Sequence, residues 1–315
     1  MRKHKISVAM CTYNADKYLD EQISSILSQT MLPDEIVIVD DCSYDNTNNI
    51  IEKYKARNIA EIRHIVNDFN IGYIKNFEKA ISCCAGDIIF FSDHDDSWES
   101  TKIEKVFNYF QSNCDISMIF SDGKLMDGSS MVVSGTLWER FGFIHRNQKH
   151  FNKNPLSYLL KRDTVTGATV AIRKKLINDV IPFPEEYVHD AWCALIAASK
   201  SELSTIPECL INYRVHSEQQ IGLNKNKKSI RRNLEQDRIL SVEKMVLLKN
   251  RASIVGCCEK SLEQINEKLG FYNERKDYSK SKVQRIIPIL RNYKMYFKYA
   301  SGILSILKDI LRSGD

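Results

Sequence analysis

Three carboxylates lie within the four-residue segment Asp93-His94-Asp95-Asp96. Like charges at this spacing repel one another, so the pKa of some of these groups rises or the group binds a cation. A hard divalent ion prefers oxygen ligands, and Mg²⁺ is often held by one or two carboxylates together with substrate phosphates. The alternative is the acidic first turn of a helix, which accounts for Asp96 but leaves Asp93 and Asp95 unexplained. The segment therefore favours a metal–phosphate site.

Two more polar groups stand where predicted strands end. Thr12-Tyr13-Asn14 follows the apolar run Ile6–Met10, and Asp40-Asp41 follows the β-branched run Ile36–Val39. The acidic segment itself follows a predicted strand over residues 87–91. In open α/β sheets, ligands bind outside the carboxyl ends of the parallel strands. We therefore expect these three groups to converge on one ligand site.

The elements that must position these residues alternate between strand and helix patterns. Alternation of this kind, with continuously apolar strands, predicts an α/β fold with a mostly parallel sheet and helices on both faces. The predicted strands cover residues 6–10, 36–39, 62–66, 87–91, 117–120, 166–172 and 210–213. The predicted helices cover residues 18–27, 45–55, 74–84, 102–110, 173–178 and 189–198. Residues 130–165 are interpreted as a loop-rich insertion over the site. The pattern after Gly222 is helical throughout, which predicts a domain over residues 1–222 and a helical extension over residues 223–315.

Several segments, in this order along the chain, resemble the family 2 glycosyltransferases of the GT-A fold. They are Ser7–Asn14, Ile38–Thr47, Asn70-Ile71-Gly72 with Asn76, Ala85-Gly86-Asp87, and the acidic segment, which matches the family's DxD-type motif. Each segment is short, but the ordered set covers about residues 5–220. The resemblance implies a GT-A-like fold and a nucleoside-diphosphate sugar as the donor.

The resemblance also implies roles for single residues. Thr12 and Asp41 would contact the nucleoside, whereas Asp93 and Asp95 would lie beside the sugar nucleotide. Asp95 would bind a divalent ion, Mn²⁺ or Mg²⁺, that bridges the diphosphate. The implied nucleotide-sugar contacts are Thr12, Tyr13, Asn14, Asp41, Asn70, Asn76, Asp93 and Arg214. For Asn70 and Asn76, hydrogen bonds within a loop and at a helix start are an equal alternative.

His189-Asp190-Ala191-Trp192 resembles the segment that carries the acidic base of the family, which implies that Asp190 is the general base. The neighbouring imidazole and indole would give that carboxylate a partly dry setting and raise its basicity. The alternative is that Asp190 caps the helix that begins there, and both roles are compatible.

Tyr213-Arg214-Val215-His216 resembles a further element of the family. His216 would join Asp93 and Asp95 as a metal ligand or touch the diphosphate, and a purely structural histidine is the alternative. Arg214 would pair with phosphate oxygens. Thr166-Gly167-Ala168 resembles the loop beneath the acceptor, where Gly167 would permit a close backbone approach.

The motifs together predict a metal-dependent inverting glycosyltransferase that adds one sugar to a hydroxyl acceptor, in cell-surface polysaccharide assembly. The sequence contains no P-loop, no dinucleotide-binding glycine motif after the first strand and no Gln-x-x-Arg-Trp segment of processive synthases. A nucleotidyltransferase that makes the sugar nucleotide is one alternative, although Thr12-Tyr13-Asn14-Ala15 lacks the glycine-rich basic loop it would need. An inactive homologue that acts as a binding module is another.

Charge is divided unevenly along the 315 residues. Residues 1–223 carry 24 Lys/Arg and 30 Asp/Glu, whereas residues 224–315 carry 21 and 10. Apolar residues from Tyr293 to Leu311 follow helical spacing, with Lys294, Lys298, Lys308 and Arg312 on the other side. Such a helix either lies on an anionic membrane or packs its apolar side on the body of the protein.

The sequence predicts where the protein works and what it binds. There is no apolar run long enough for a membrane span and no secretory leader, and the nine scattered cysteines suit free thiols in a reducing compartment. We expect a cytoplasmic enzyme, either free or peripheral on the inner face of the plasma membrane. The acceptor would be a saccharide or a lipid-linked saccharide, and nucleic-acid binding is not expected.

Overall fold

The computed structural model describes residues 4–216, 234–276, 278 and 282–311. The strands are β1 Ile6–Thr12, β2 Glu35–Asp40, β3 Glu61–Val66, β4 Ile88–Ser92, β5 Ser97–Trp98, β6 Met118–Asp127, β7 Val132–Thr136, β8 Val170–Arg173 and β9 Leu203–Val215. The helices of the first 216 residues are α1 Leu19–Leu27, α2 Thr47–Lys55, α3 Tyr73–Cys83, α4 Lys102–Ser112, α5 Leu137–Arg140, α6 His145–Lys153, α7 Pro155–Leu159, α8 Ile177–Val180 and α9 His189–Ser199. The C-terminal helices are α10 Leu234–Ile254, α11 Glu259–Lys276, α12 Lys282–Arg291, α13 Tyr293–Tyr299 and α14 Ile303–Ile310.

One mixed sheet runs through the molecule in the order β3-β2-β1-β4-β8-β6-β9-β5, with β7 paired to the outer part of β6. β1, β2, β3 and β4 are parallel, as the alternation predicted. β8 is antiparallel to both β4 and β6, and β5 and β7 also run antiparallel to their neighbours, which the sequence pattern did not predict. β1, β2 and β4 are buried along their whole length because helices cover both faces, so their apolar runs are continuous.

The parallel strands bring the predicted polar groups to one edge. Thr12 lies opposite Asp40 in the register of β1 and β2, and Met10 lies opposite Ser92 at the end of β4. At the opposite, amino-terminal ends of these strands, the chain enters β4 beside the start of β1. A Cβ on Gly86 would lie 2.5 Å from Ser7 Oγ, so only glycine fits there. This close contact fixes β4, and with it the acidic segment, against β1.

Residues 130–165 are more ordered than predicted. They form β7 and the short helices α5, α6 and α7 instead of a loop-rich insertion. Aromatic side chains hold these elements on the sheet, and Phe143 is fully buried with its ring 4.8 Å from Trp138 and 5.3 Å from Phe151. The insertion is therefore a small packed layer with its own aromatic core.

The C-terminal region is helical, but the helix predicted from Tyr293 to Leu311 is wrong. It is broken into α13 and α14 at Gly302, whose φ of 59° favours glycine. Tyr296 and Tyr299 pack inward on the body, whereas Tyr293 and Phe297 remain exposed. The predicted boundary at residue 222 and the side chain of Arg312 lie outside the described residues. Within the described part of the chain, no helix combines the length and the apolar character needed to cross a bilayer.

Candidate active site

The acidic segment forms a compact cluster just beyond β4. One carboxylate oxygen from each of Asp93, Asp95 and Asp96 lies within 4.8 Å of the others. Asp96 is 1% exposed, and its Oδ1 accepts the backbone N–H of Arg214 at 2.9 Å. Its Oδ2 is buried and has no hydrogen-bond partner among the described residues. Burial and the neighbouring carboxylates raise the pKa of Asp96 well above its usual value.

The donor set of this cluster fits a divalent cation. Burial, with repulsion from Asp95, raises the pKa of Asp93 to about 7, so the cluster is short of positive charge. Three carboxylates with one unsatisfied buried oxygen match the ligands that Mg²⁺ and Mn²⁺ take. The predicted metal ligands were Asp93 and Asp95, and the alternative of a helix start accounted for Asp96, yet Asp96 is the most buried of the three. The adjacency of Asp95 and Asp96 was the signal for this third oxygen donor.

His216 lies at the cluster, as the sequence resemblance implied. Its Nε2 is 2.9 Å from Asp95 Oδ2. Burial opposes ionisation of Asp95, but the hydrogen bond to His216 and the charges of His94 and His216 together outweigh burial and lower the pKa of that carboxyl. A ring nitrogen this close to a carboxylate oxygen either joins Asp95 on an ion or orients it.

Arg214 has a different position from the predicted phosphate contact. Its side chain is fully buried, and the guanidinium donates to the carbonyl oxygen of Asp95 at 2.6 Å, to Ser130 Oγ at 2.8 Å and to Glu21 Oε2 at 2.6 Å. These bonds point the guanidinium into the protein and join the acidic loop to α1 and to the turn before β7. In this structure Arg214 therefore supports the loop from behind and does not face a ligand.

Lys102, at the start of α4, was not found from the sequence. It is fully buried, donates from Nζ to the carbonyl oxygen of Ala168 at 2.7 Å and lies 3.8 Å from the ring centroid of Trp98. Burial lowers its pKa to about 7, although Asp96 and Asp93 oppose the shift. Lys102 therefore gives the acidic cluster a neighbouring cation inside the protein. A lysine in the first turn of a helix looks like an ordinary surface residue in a sequence, so no pattern revealed it.

The end of β1 and the end of β2 form one hydrogen-bonded unit. Thr12 Oγ1 donates to Asp40 Oδ1 at 2.7 Å, so Asp40 joins the ends of the two strands. Asn14 adopts a positive φ of 48°, and its backbone N–H donates to Ser43 Oγ at 2.8 Å. The Tyr13 ring meets the exposed ring of Tyr44 edge-on, with the centroids 6.5 Å apart. Nucleoside contacts of Thr12, Tyr13 and Asn14 stay predictions.

Asp41 organises the loop between β3 and α3. Its Oδ1 accepts the backbone N–H of Ile71 at 2.8 Å and its Oδ2 accepts that of Gly72 at 2.9 Å. Asn70 is exposed and accepts the Gly72 N–H on its Oδ1. Asn76 is 2% exposed, and its Nδ2 donates to the carbonyl oxygen of Val39 at 2.9 Å. The side chain of Asn76 therefore makes a structural contact with β2, and the nucleoside contacts of Asp41, Asn70 and Asn76 stay predictions.

Asp190 lies in the first turn of α9 and is 9% exposed. Its carboxylate accepts the backbone N–H of Ala191 at 2.7 Å and that of Gly167. Burial raises the pKa of Asp190 to about 6, against these hydrogen bonds. The charge of Asp190 also raises the pKa of Asp93, so the predicted base and the acidic cluster are electrostatic neighbours in one site.

Residues 7–180 match the family model of glycosyl transferase family 2. The chain belongs to this family. An uncharacterized glycosyltransferase of Haemophilus influenzae is 29% identical over 68% of this chain and 66% of its own length. TuaG of Bacillus subtilis, whose name assigns it to teichuronic acid biosynthesis, is 32% identical over 68% of this chain and 80% of its own length.

Solved structures confirm the GT-A-like fold of this family 2 glycosyltransferase. S. aureus TarS in complex with UDP-GlcNAc superposes with a TM-score of 0.56 at 18% identity, over 97% of this chain and 81% of that one. The mannosyltransferase PcManGT of Pyrobaculum calidifontis, in complex with GDP-Man and Mn²⁺, gives a TM-score of 0.55 at 14% identity, over 98% and 86%. The similarity at these identities is one of fold.

The surroundings of Asp190 in this glycosyltransferase are apolar, but only one of the two predicted neighbours, His189, contributes to them. His189 stacks on Phe77 with the ring centroids 4.1 Å apart, and burial lowers its pKa to about 3. Neither ring nitrogen of His189 has a partner among the described residues. The indole of Trp192 donates to the carbonyl oxygen of Val180 and does not hold Asp190. The neutral imidazole and its aromatic neighbours, and not the indole, provide the apolar setting.

Proposed function

We propose that this glycosyltransferase moves one sugar from a nucleoside-diphosphate sugar to a hydroxyl of an acceptor, with inversion at the anomeric carbon. The acceptor oxygen forms the new bond to that carbon while the bond to the diphosphate oxygen breaks and its electron pair leaves with the nucleoside diphosphate. The proton of the acceptor hydroxyl goes to a carboxylate oxygen of Asp190. The single observation that carries this proposal is one buried carboxylate beside a cluster of three.

Each part of the site has a task in this reaction. Asp190 is held by two backbone N–H groups, so its carboxylate keeps one orientation toward the acceptor hydroxyl. Asp93, Asp95 and Asp96 would hold a divalent cation, Mn²⁺ or Mg²⁺, with His216 beside Asp95. A bound cation stabilises the charge that develops on the departing diphosphate. Arg214 keeps the acidic loop in place from inside the protein, and the charge of Lys102 interacts with Asp96 and Asp93.

The comparisons support the class of donor and the setting of the reaction. TarS binds UDP and UDP-GlcNAc, and PcManGT binds GDP-Man together with Mn²⁺. TuaG is named for teichuronic acid biosynthesis. We therefore propose that the present enzyme works in cell-surface polysaccharide assembly, on the cytoplasmic side, with a saccharide or a lipid-linked saccharide as the acceptor.

The C-terminal helices support an anionic membrane as a partner. The inward side of α12, α13 and α14 buries Ile289, Tyr296 and Tyr299 together with charged groups: the carboxylate of Asp309 accepts two bonds from Arg275 and one from Tyr296, and its carbonyl oxygen accepts a bond from Arg285. The outward side also carries large apolar residues. They are Ile286, Ile287, Leu290, Tyr293, Phe297, Ile303, Leu304, Leu307 and Leu311.

These helices expose large apolar side chains in addition to the apolar side chains that they bury, whereas an ordinary surface helix has a polar outer side. Exposed apolar groups of this size mark contact with a partner or a membrane. The exposed cations Arg291, Lys294 and Lys308 lie on the same three helices, and each cation near an anionic surface contributes about 1 kcal/mol. Apolar side chains with cations between them fit the headgroup region of an anionic bilayer.

A donor screen tests the proposed reaction. Purified protein is incubated with UDP-GlcNAc, GDP-mannose and other sugar nucleotides, with and without Mn²⁺, and the released nucleotide is identified. Release of a nucleoside diphosphate supports glycosyl transfer, whereas pyrophosphate would indicate nucleotidyl transfer. A protein that binds a donor but never turns it over would be an inactive homologue. Asp95→Ala is expected to abolish metal-dependent nucleotide binding in calorimetry, and unchanged binding would refute its ligand role.

A further inference from the structure

A cavity of about 240 Å³ lies where the C-terminal helices meet the catalytic part of the protein. One wall comes from α7 and α9, through Leu160 and Ala191. The opposite wall comes from α10 and α11, through Lys244, Lys268 and Tyr272. The cavity therefore exists only because two parts of the chain that are distant in sequence pack together.

The charged groups that line this cavity are two lysines and one aspartate, Asp163. Lys268 donates from Nζ to the carbonyl oxygen of Leu160 at 2.5 Å, at the end of α7. Burial, together with repulsion from Lys244, lowers the pKa of Lys268 to about 7. The two ammonium groups are thus close enough to disfavour each other, and an anion between them would relieve that repulsion.

The cavity adjoins the proposed base. Val188 and Ala191, on either side of the His189-Asp190 pair, line it. Asp163 interacts electrostatically with Asp190 on one side and with Lys244 on the other. The flanking residues Val188 and Ala191 place the cavity next to the turn of α9 that carries the base.

We infer that this cavity binds an anionic group of the acceptor, a carboxylate or a phosphate, through Lys244 and Lys268. The inference rests on the proposed function, since it names the class of acceptor that the same site would take. The acceptor is then an acidic or phosphorylated saccharide.

The walls suit a saccharide better than an apolar ligand. Lys244, Lys268 and Asp163 give the cavity a charged lining, and covering charged groups with an apolar molecule is costly. Lys244 Nζ and Lys268 Nζ lie 5.2 Å and 4.9 Å from the ring centroids of Tyr187 and Tyr272. The two phenol rings offer flat faces beside the cations, and amphipathic rings of this kind have an apolar body and a polar tip.

The test uses the full chain and three small probes measured by calorimetry: methyl glucuronide, glycerol 3-phosphate and the neutral methyl glucoside. We expect one of the two anionic probes to bind about 10- to 100-fold more tightly than the neutral one, the amount that a charge-assisted hydrogen bond gives. Lys268→Met, which keeps the length of the side chain, should remove this preference. Lys249→Met is the matched control, because Lys249 is on α10 but does not line the cavity.

The outcomes separate the inference from the proposed function. If neither anionic probe binds more tightly than methyl glucoside, or if Lys268→Met keeps the preference, the inference is wrong while donor turnover is unaffected. If the preference is present and the donor screen yields no turnover, the proposed function fails and the cavity remains an anion site. In the active enzyme, Lys268→Met should raise the KM for an anionic acceptor, whereas Lys249→Met should leave that KM unchanged. Folding of Lys268→Met is checked by its thermal transition.

Discussion

The replacement of Asp190 by Asn is the sharpest test of the proposed chemistry. Asn has nearly the same shape, and its carbonyl oxygen still accepts the N–H of Ala191, which lies 2.7 Å from Oδ1 in the native protein. Its amide nitrogen cannot accept the second bond, from Gly167, and it has no basic lone pair for the acceptor proton. The variant therefore removes the base while it leaves the fold and the acidic cluster in place.

The expected size of the effect follows from the role of the group. A positioned general base contributes about 10²- to 10⁴-fold to a rate, or about 3 to 5 kcal/mol of activation free energy. The hydrogen bond lost to Gly167 costs about 1 kcal/mol of stability, which is small by comparison. We therefore expect kcat to fall at least 100-fold while donor binding stays within about threefold.

The pH dependence gives a second readout. Burial raises the pKa of Asp190 to about 6, and only the deprotonated form accepts a proton. The rate should therefore fall about tenfold per pH unit below that value and level off above it. A bound cation favours the carboxylate form, so saturating Mn²⁺ should move this limb to lower pH. The limb should be absent from the residual activity of Asp190→Asn.

The assay compares kcat from nucleoside diphosphate release with nucleotide affinity from calorimetry, for the native protein and the variant. Asp115→Asn makes the same chemical change at an exposed position and is the control. Turnover of Asp190→Asn within threefold of the native enzyme, with an unchanged pH profile, would refute Asp190 as the base.

Four further predictions address other parts of the structure. Asp96→Asn should weaken Mn²⁺ binding at least tenfold in calorimetry, because it removes a carboxylate charge whose Oδ2 is otherwise unsatisfied; equal affinity would exclude Asp96 as a ligand. Arg214→Met should lower the free energy of unfolding by about 2 to 3 kcal/mol in urea, since its charge-assisted bonds are lost, and Arg214→Lys should restore only part. Leu304→Asp should weaken sedimentation with phosphatidylglycerol vesicles more than tenfold, whereas Ile254→Asp, at an exposed position on α10, should not; equal losses, or a dimer in place of vesicle binding, would contradict the membrane surface. Phe143→Ala should cost about 3 to 5 kcal/mol of stability, measured by urea unfolding, and a loss below 1 kcal/mol would contradict the aromatic core of the insertion.

The parallel part of the fold could be predicted because its signals are local. Strands β1, β2 and β4 are buried on both faces, so they appear in the sequence as short continuous apolar runs that end in polar residues. β9 was predicted only over residues 210–213 but covers Leu203–Val215, because its first half carries polar residues such as Glu208 on an exposed side. Periodicity identifies a strand only where one face or both faces are buried.

The insertion escaped prediction for a related reason. α6 has the sequence HRNQKHFNK, in which Phe151 is the one large apolar residue, and α5 and α7 are only four and five residues long. A helix of one or two turns shows no repeat, so its existence depends on tertiary contacts, here the aromatic cluster around Phe143.

Within the site, the residue types were predictable but their orientations were not. Asp93, Asp95, Asp190 and His216 converge as the motifs implied. Arg214 belongs to the same sequence segment as His216, yet its guanidinium points inward. The carbonyl oxygen of Asp95 and the carboxylate of Glu21, which accept its hydrogen bonds, lie on the inner side. These two contacts join residues that are separated by 119 and by 193 positions in the chain, so no local sequence pattern indicates them.

The cavity beside Asp190 has walls from different parts of the chain: Leu159, Leu160 and Asp163 lie within the family match over residues 7–180, whereas α9, α10 and α11 lie beyond it. Exchange of α10 and α11 between relatives would leave the strand ends that face the nucleotide untouched. Diversification of such enzymes would then proceed by changing the carboxy-terminal wall, so that one inherited chemistry decorates many different polymers.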